Sequence, residues 1–404
     1  MKRVIISTGF LTFALMLPTL AGSAQPAHVA NSDQPRDGRH VLEMATVWHR
    51  GHDADDLIFG SVNNVQVGPD GGIYVLDQQQ SQVCVFDDGG ELLRTLSREG
   101  EGPGESRQPE DMVFLPDGSL GLAQYINGRI VRIDLKGTPL KMLMPPGYDP
   151  QGGGGGLVSI RRARCRGGSF VINGVKVSPQ DDGVIRTQYL VRCNEQAEPV
   201  VEYLSRSTSS NLQRDGWIEK NHYFPSHERW DIDAQGRVLA ACDRNEYRIT
   251  VFEPDGTAAF TFGRDHEPWR RTGQEKQEIR DSLVVLADGV RVQIEVQVED
   301  MAPVIAAVHA MSDGETWVLT TRNMKNQPDG IMQTYDVFDS GGIFVRQEAV
   351  ACGGEADEDR LIFLDEDRAA LVRGAVQARR NTFGGSRTEE DQEVAVHDLM
   401  ILAF

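Results

Sequence analysis

The side chains able to do chemistry are nine histidines, five cysteines and a glycine-rich connector, and their spacing decides what each could do. A catalytic or structural metal needs several imidazoles, thiolates or carboxylates converging on one point. His28, His40, His49, His52, His222, His227, His266, His309 and His397 are scattered. The closest approach to a ligand pattern is His49-x-x-His52 followed by Asp53, Asp55 and Asp56, in a segment that reads as a solvated loop. Only His227 and His309 fall near strands that could face an axis, and His309 is expected to turn along its strand into packing. No Ser-His-Asp order is present. Cys84, Cys165, Cys193, Cys242 and Cys352 are odd in number and match neither a zinc spacing nor a dense disulfide scaffold, so most of them read as small buried hydrophobes. Arg98-Glu99-Gly100-Glu101-Gly102-Pro103-Gly104-Glu105 has the glycine content of a phosphate cradle. However, Pro103 removes one N–H donor, and Glu99, Glu101 and Glu105 repel an anion. The chain therefore offers no catalytic set and no metal site, and no cofactor is expected.

Composition narrows the classes further. The 404 residues carry 41 basic and 60 acidic side chains, a formal charge of −19, with 40% hydrophobic residues. That is the balance of a chain folding around a core, and its acidity argues against nucleic acid, whose phosphates require clustered Lys and Arg. The basic start Met1-Lys2-Arg3, the apolar run Val4 to Leu20 and the small residues Ala21-Gly22-Ser23-Ala24 read as a signal peptide over 1–24. Residues 25–40 are polar and contain proline, and are read as a flexible linker. No later run is apolar enough to span a bilayer, so the expected product is exported, periplasmic or secreted, with no stable membrane insertion.

What must position any site is an internal repeat. Val65 to Asp77 reads as strand, Asp70-Gly71 turn, strand, and Val83 to Phe86 is followed by the turn Asp87 to Gly90. The same order returns around Asp117-Gly118 and Lys136-Gly137, around Gln235-Gly236 and Asp255-Gly256, and around Asp313-Gly314 and Gly341-Gly342. The paired turn glycines stand 19 apart in the first two copies and 20 in the third. Asp-Gly supplies the positive φ of tight hairpin turns, and alternating Val, Ile and aromatic residues suit half-buried strands. Each unit is a four-stranded meander that cannot bury both faces alone, and repeating it around an axis gives a β-propeller. Residues 57–97, 107–144, 226–264 and 303–350 are clear copies, 157–204 a looser one and 361–402 a degenerate sixth. The predicted fold is all-β, a six-bladed β-propeller over 41–404. The sixth unit lacks one strand, and residues 41–48 are expected to supply it and close the ring. A short helical insertion is expected near 270–290.

The connector Gly100-Glu101-Gly102-Pro103-Gly104, with Pro109 following, resembles the signature between blades of NHL-type propellers. With Asp70-Gly71…Tyr74-Val75-Leu76-Asp77 it makes the chain similar to exported bacterial six-bladed NHL-like proteins, over 57–140 most strongly. The resemblance implies a fold and a binding role more than one reaction. It also leaves an alternative, a metal-assisted lyase or lactone hydrolase of NHL-like type with a divalent cation at the ring axis.

In a propeller, blade connectors and second-to-third strand loops emerge on one face. This gathers Asp77, Gln79, Arg98, Glu105, Tyr125, Asn127, His227, Arg229, Asp243 and Arg322 around one mouth. Their mixed charges, amides and aromatic ring suit a rim that binds a ligand or a protein partner.

Overall fold

The computed structural model describes residues 26–51, 57–125, 128–144, 156–283, 285–287, 290–376, 378 and 398–404. The segment read as a signal peptide, residues 1–24, lies outside them.

Six antiparallel blades follow one another along the chain. The first is Val62–Val67, Ile73–Asp77, Gln82–Phe86 and Leu92–Leu96. The second has Pro109–Phe114, Leu120–Gln124 and Ile130–Ile133, with isolated bridges from Ile130 to Leu143 and Ile133 to Pro139 in place of a regular fourth strand. The third is taller: Leu157–Arg166, Ser169–Gln180, Gly183–Cys193 and Pro199–Ser210. The fourth is Trp230–Ile232, Val238–Ala240, Ile249–Phe252 and Ala258–Arg264; the fifth is Ile305–Ala310, Thr316–Thr320, Gln333–Phe338 and Phe344–Ala351. The sixth contributes Arg360–Phe363, Arg368–Val372 and Leu399–Ala403.

Period-two alternation explains how one strand serves two neighbours. Ile73 and Val75 point toward the sixth blade, where they pack with Trp48, Ala370 and Ile401. Tyr74 and Leu76 point the other way, onto Met112, Leu120 and Leu122 of the second blade. Six such clusters occur, one at each junction around the ring. Gly71 sits at φ +81° in its hairpin, as the Asp-Gly reading requires. Cys165 faces Phe170, which faces Cys193, so the two cysteines stand two strands apart, and all five thiols are free.

Closure comes from the amino-terminal segment in three pieces. Strand β1 (Ala27–Asn31) runs parallel to Ala258–Arg264 on the outer edge of the fourth blade. Strand β2 (Arg39–Glu43) does the same on Phe344–Ala351 of the fifth. Strand β3 (Ala45–Arg50) pairs antiparallel with Leu399–Ala403 as the fourth strand of the sixth blade. The expected closing strand over 41–48 is therefore split at Met44 between two blades. Within the segment read as a linker, the described residues 26–40 are held to the blades: β1 is hydrogen-bonded along its length, and the Asn31 side chain donates to the Gly263 and Gly342 carbonyls and accepts from the Phe344 N–H. The physical reason is that these outer-edge strands bury little, with only Val29 and Leu42 packed partly on junction cores, so the apolar alternation is weak, yet they satisfy the backbone groups of an exposed edge.

The connector between the fourth and fifth blades carries the expected helix, Gly273–Ser282, closed by a reciprocal Thr272–Glu275 cap.

Candidate functional site: the channel and its mouth

The first strands of all six blades surround a central cavity of about 520 Å³. Four of these strands carry a bulge at the same place, near the end where the connector enters. The extra residues are Asn63, Glu110, Arg161 and Ala306. A bulge re-aims one side chain and increases twist, which explains how Asn63, Glu110 and Arg161 come to line the cavity.

Below the mouth, polar side chains tie blade to blade. The Asn64 amide donates to Asp111, whose carboxylate also accepts from the Ala163 N–H at 2.9 Å and the Met112 N–H at 3.0 Å. Arg162, 6% exposed at its side chain, donates to Glu228 at 3.0 Å and to the His227 carbonyl. Arg360 reaches from the sixth blade to the same Glu228 and donates to the Asn63 carbonyl at 2.6 Å. Asp231 accepts from the Ala310 N–H at 3.0 Å, and Arg166 donates to the Ala310 carbonyl. Burial alone would raise the Glu228 carboxyl, but the two guanidiniums outweigh it and hold the group well below the usual carboxylate range.

Asp111 goes the other way. Burial pushes its carboxyl up to about 6, against the pull of Arg162 and its N–H donors. A folded-state value above the unfolded one gives stability that is present below about pH 4 and lost as pH rises through 6. Relative to Asp111→Asn, the wild type should therefore lose about 2 kcal/mol of unfolding free energy between pH 4 and pH 7. Urea unfolding at the two pH values checks this, and parallel profiles for the two proteins would refute it.

At the mouth, Arg161 places its guanidinium 3.0 Å from His227 Nε2, which accepts, and 5.9 Å from the Tyr125 ring centroid. His227 stands at φ +55°, a backbone placement that only the surrounding connector enforces. Two long connectors rise beside it. Glu219, from the connector over 211–229, accepts from Arg271 at 2.6 and 2.9 Å, from Arg244 at 2.8 Å and from the Glu299 N–H at 2.9 Å. This joins it to the insertion over 265–303.

Of the rim residues expected from sequence, the structure brings Tyr125 and His227 together at the mouth. Asn127 lies outside the described residues. Asp77 is fully buried and accepts the N–H groups of Gly60, Ser61 and Gln80, which removes it from ligand reach. Arg98 and Glu105 pair with each other at 2.6 Å within their own connector, where Glu105 also accepts from the Gly102 N–H. Arg229 is committed to the Ile305 carbonyl and the Tyr223 ring. Asp243 pairs with Arg248, and Arg322 with Glu267 in a separate depression. Gln79 is an exposed loop residue. The channel residues that sequence reasoning missed are Arg161, Arg162, Asp231 and Arg360; Glu228 lies in the rim segment His227-Glu228-Arg229 that the sequence placed at the mouth, but it points into the channel and pairs there with Arg162 and Arg360. A signal existed in Arg161-Arg162-Ala163-Arg164-Cys165-Arg166, a basic run repeating every second residue in a first strand. His309 lines the cavity and packs edge-on against Tyr335 and Phe363.

Among the described residues no three His, Cys, Asp or Glu side chains come together as a metal site, and no helix is long and apolar enough to cross a membrane. A family described as 6-bladed beta-propeller matches residues 53–141. No curated protein gives a significant match in sequence. A candidate exported protein of Bacteroides fragilis, 10% identical, superposes with a TM-score of 0.50 over 94% of this chain and 99% of its own. Virginiamycin B lyase from Staphylococcus aureus, 9% identical, gives 0.41 over 88% and 98%, and a luciferin-regenerating enzyme, 8% identical, gives 0.41 over 86% and 92%. Identities this low speak to fold alone. With six blades, six junction cores and a ring closed by its own amino-terminal segment, the chain is a six-bladed β-propeller.

Proposed function

We propose that the protein is an exported binding module that takes a small ligand into the mouth of its central channel. The observation that carries this reading is the cavity itself. Its volume is that of a small-molecule site, and polar groups from separate blades converge on it. The amino-terminal signal-like segment supports export, as does the Bacteroides fragilis structure described as a candidate exported protein. The metal-assisted lyase or lactone hydrolase reading is less well supported. Glu228 is taken by two guanidiniums and Asp231 by backbone N–H groups, so neither carboxylate is presented to a cation at the axis.

The test is a thermal-shift screen of the purified chain against small polar metabolites, repeated on Asn63→Trp. Asn63 lines the mouth, and an indole there would fill it. Compounds that stabilise the wild type should lose their effect on the plugged variant. A hit that shifts both proteins equally would place binding elsewhere.

A further inference from the structure

The geometry points to an oxyanion site at the channel mouth, built by Arg161 and Arg186 beside His227 and Tyr125, that takes the carboxylate or phosphate group of a small ligand. This rests on the reading of the mouth as a binding site and names the class of what binds there.

The argument begins from how this chain treats its other enclosed arginines. Arg162 has Glu228, Arg264 has Asp336 at 2.7 Å, and Arg244 and Arg271 share Glu219. In a protein with 60 acidic and 41 basic side chains, a carboxylate is available for almost any guanidinium. Arg166 and Arg229 form no ion pair but donate to backbone carbonyls, whereas Arg161 has only the His227 nitrogen and the Tyr125 ring, and no side-chain acceptor for Arg186 is found among the described residues. Among the described residues neither Arg161 nor Arg186 forms an ion pair, and in each the Nε atom is buried without an acceptor. An enclosed donor left without an acceptor costs free energy that a bound acceptor would recover.

Position supports the same conclusion. Arg161 is the bulge residue of the third blade's first strand and is aimed into the cavity. Arg186 stands on the tall hairpin of that blade, opposite Val177 and Thr208, close enough to Arg161 and Tyr125 for both to act on its charge. Burial first, and the Arg161 charge second, lower its affinity for its proton; Arg161 itself lines the cavity, and Arg186 stands behind it on the hairpin. His222 lies near Arg186 and Arg206, where burial and those two charges lower its affinity for a proton and keep the ring neutral, and it stacks on Trp217 at 5.3 Å. A planar guanidinium donates two parallel N–H groups to a carboxylate or phosphate, so two of them beside an imidazole form an oxyanion clamp. The formal charge of −19 repels a long polyanion, which favours a small ligand over nucleic acid.

The experiment is isothermal titration of the full mature chain, in low-chloride buffer, with inorganic phosphate and separately with citrate. At least one should bind, and Arg161→Gln and Arg186→Gln should each weaken it about tenfold or more, with Arg161→Lys weakening it less. Phosphate binding alone assigns phosphoryl ligands; citrate binding alone assigns carboxylates. Arg186→Gln removes a charge that forms no ion pair among the described residues, so it should melt no lower than wild type, and its loss of binding will not reflect misfolding; Arg161→Gln also forfeits the His227 and Tyr125 contacts, so its melt is read alongside. Absence of binding by either anion at about 10 mM, or binding unchanged in both Gln variants, would overturn the oxyanion site. If neutral compounds still bind and Asn63→Trp still excludes them, the binding module stands and only this ligand class falls.

Discussion

A chain lacking residues 27–50 is expected to express as an aggregating, non-cooperatively melting product. Three effects combine. The sixth blade loses β3, its fourth strand, and exposes the edge of Leu399–Ala403 to solvent and to other chains. The fourth and fifth blades lose the strands that cover their outer edges. The junction between the sixth and first blades loses Trp48, which is 7% exposed and packs 5.4 Å from Phe86. Deleting a buried indole alone costs about 3–5 kcal/mol, and the full loss is comparable to the 5–15 kcal/mol by which a domain is stable. Trp48 also lies against Gly90, where a Cβ would approach its ring to 2.7 Å at a backbone φ of +81°. Size-exclusion chromatography and a circular-dichroism melt of the truncated chain check the prediction. A monomer melting cooperatively within about 5 °C of the full chain would show that the ring does not depend on this closure.

Glu228→Ala should be among the most damaging single substitutions in the channel. Glu228 neutralises Arg162 and Arg360, which come from opposite parts of the ring, and no other carboxylate pairs with either among the described residues. Removing one partner of an enclosed pair leaves a charge with neither water nor counter-ion, a loss of 3–5 kcal/mol in comparable cases. The Glu228 side chain keeps 29% exposure, so the expected loss lies near the lower end, about 3 kcal/mol. Because its folded carboxyl lies below the usual range, this contribution is present at neutral pH and is lost only as pH falls through that depressed value. Glu228→Gln, which keeps hydrogen-bonding capacity without charge, should lose less. Urea unfolding at pH 7 checks both, and a loss under about 1 kcal/mol for the alanine variant would reduce the pair to a surface contact.

The blades were legible because their determinants are local. Asp70-Gly71 and its repeats impose positive φ at fixed intervals, and Ile73-Tyr74-Val75-Leu76 must be buried on both faces, a pattern that only stacked sheets satisfy. Strand β1 was not legible, because on an outer edge only Val29 packs partly on a core and the rest reads as a polar linker. Met44 divides β2 from β3, and no residue type marks that break. The rim was legible only in part. Asp77 ends the second strand of the first blade beside the expected loop, but loop backbone N–H groups claim its carboxylate before any ligand can. Arg161 was overlooked because a one-residue bulge, invisible to periodicity, turns it from the sheet into the channel.

Hydrogen–deuterium exchange with and without a compound identified by the thermal-shift screen tests the central claim most directly. Added protection should fall on the entrance ends of the first strands, around residues 61–63, 108–110, 159–161 and 226–229, where four blades converge on the cavity. Protection confined to the outer edges, along β1, β2 or Leu92–Leu96, would contradict a ligand site in the channel mouth.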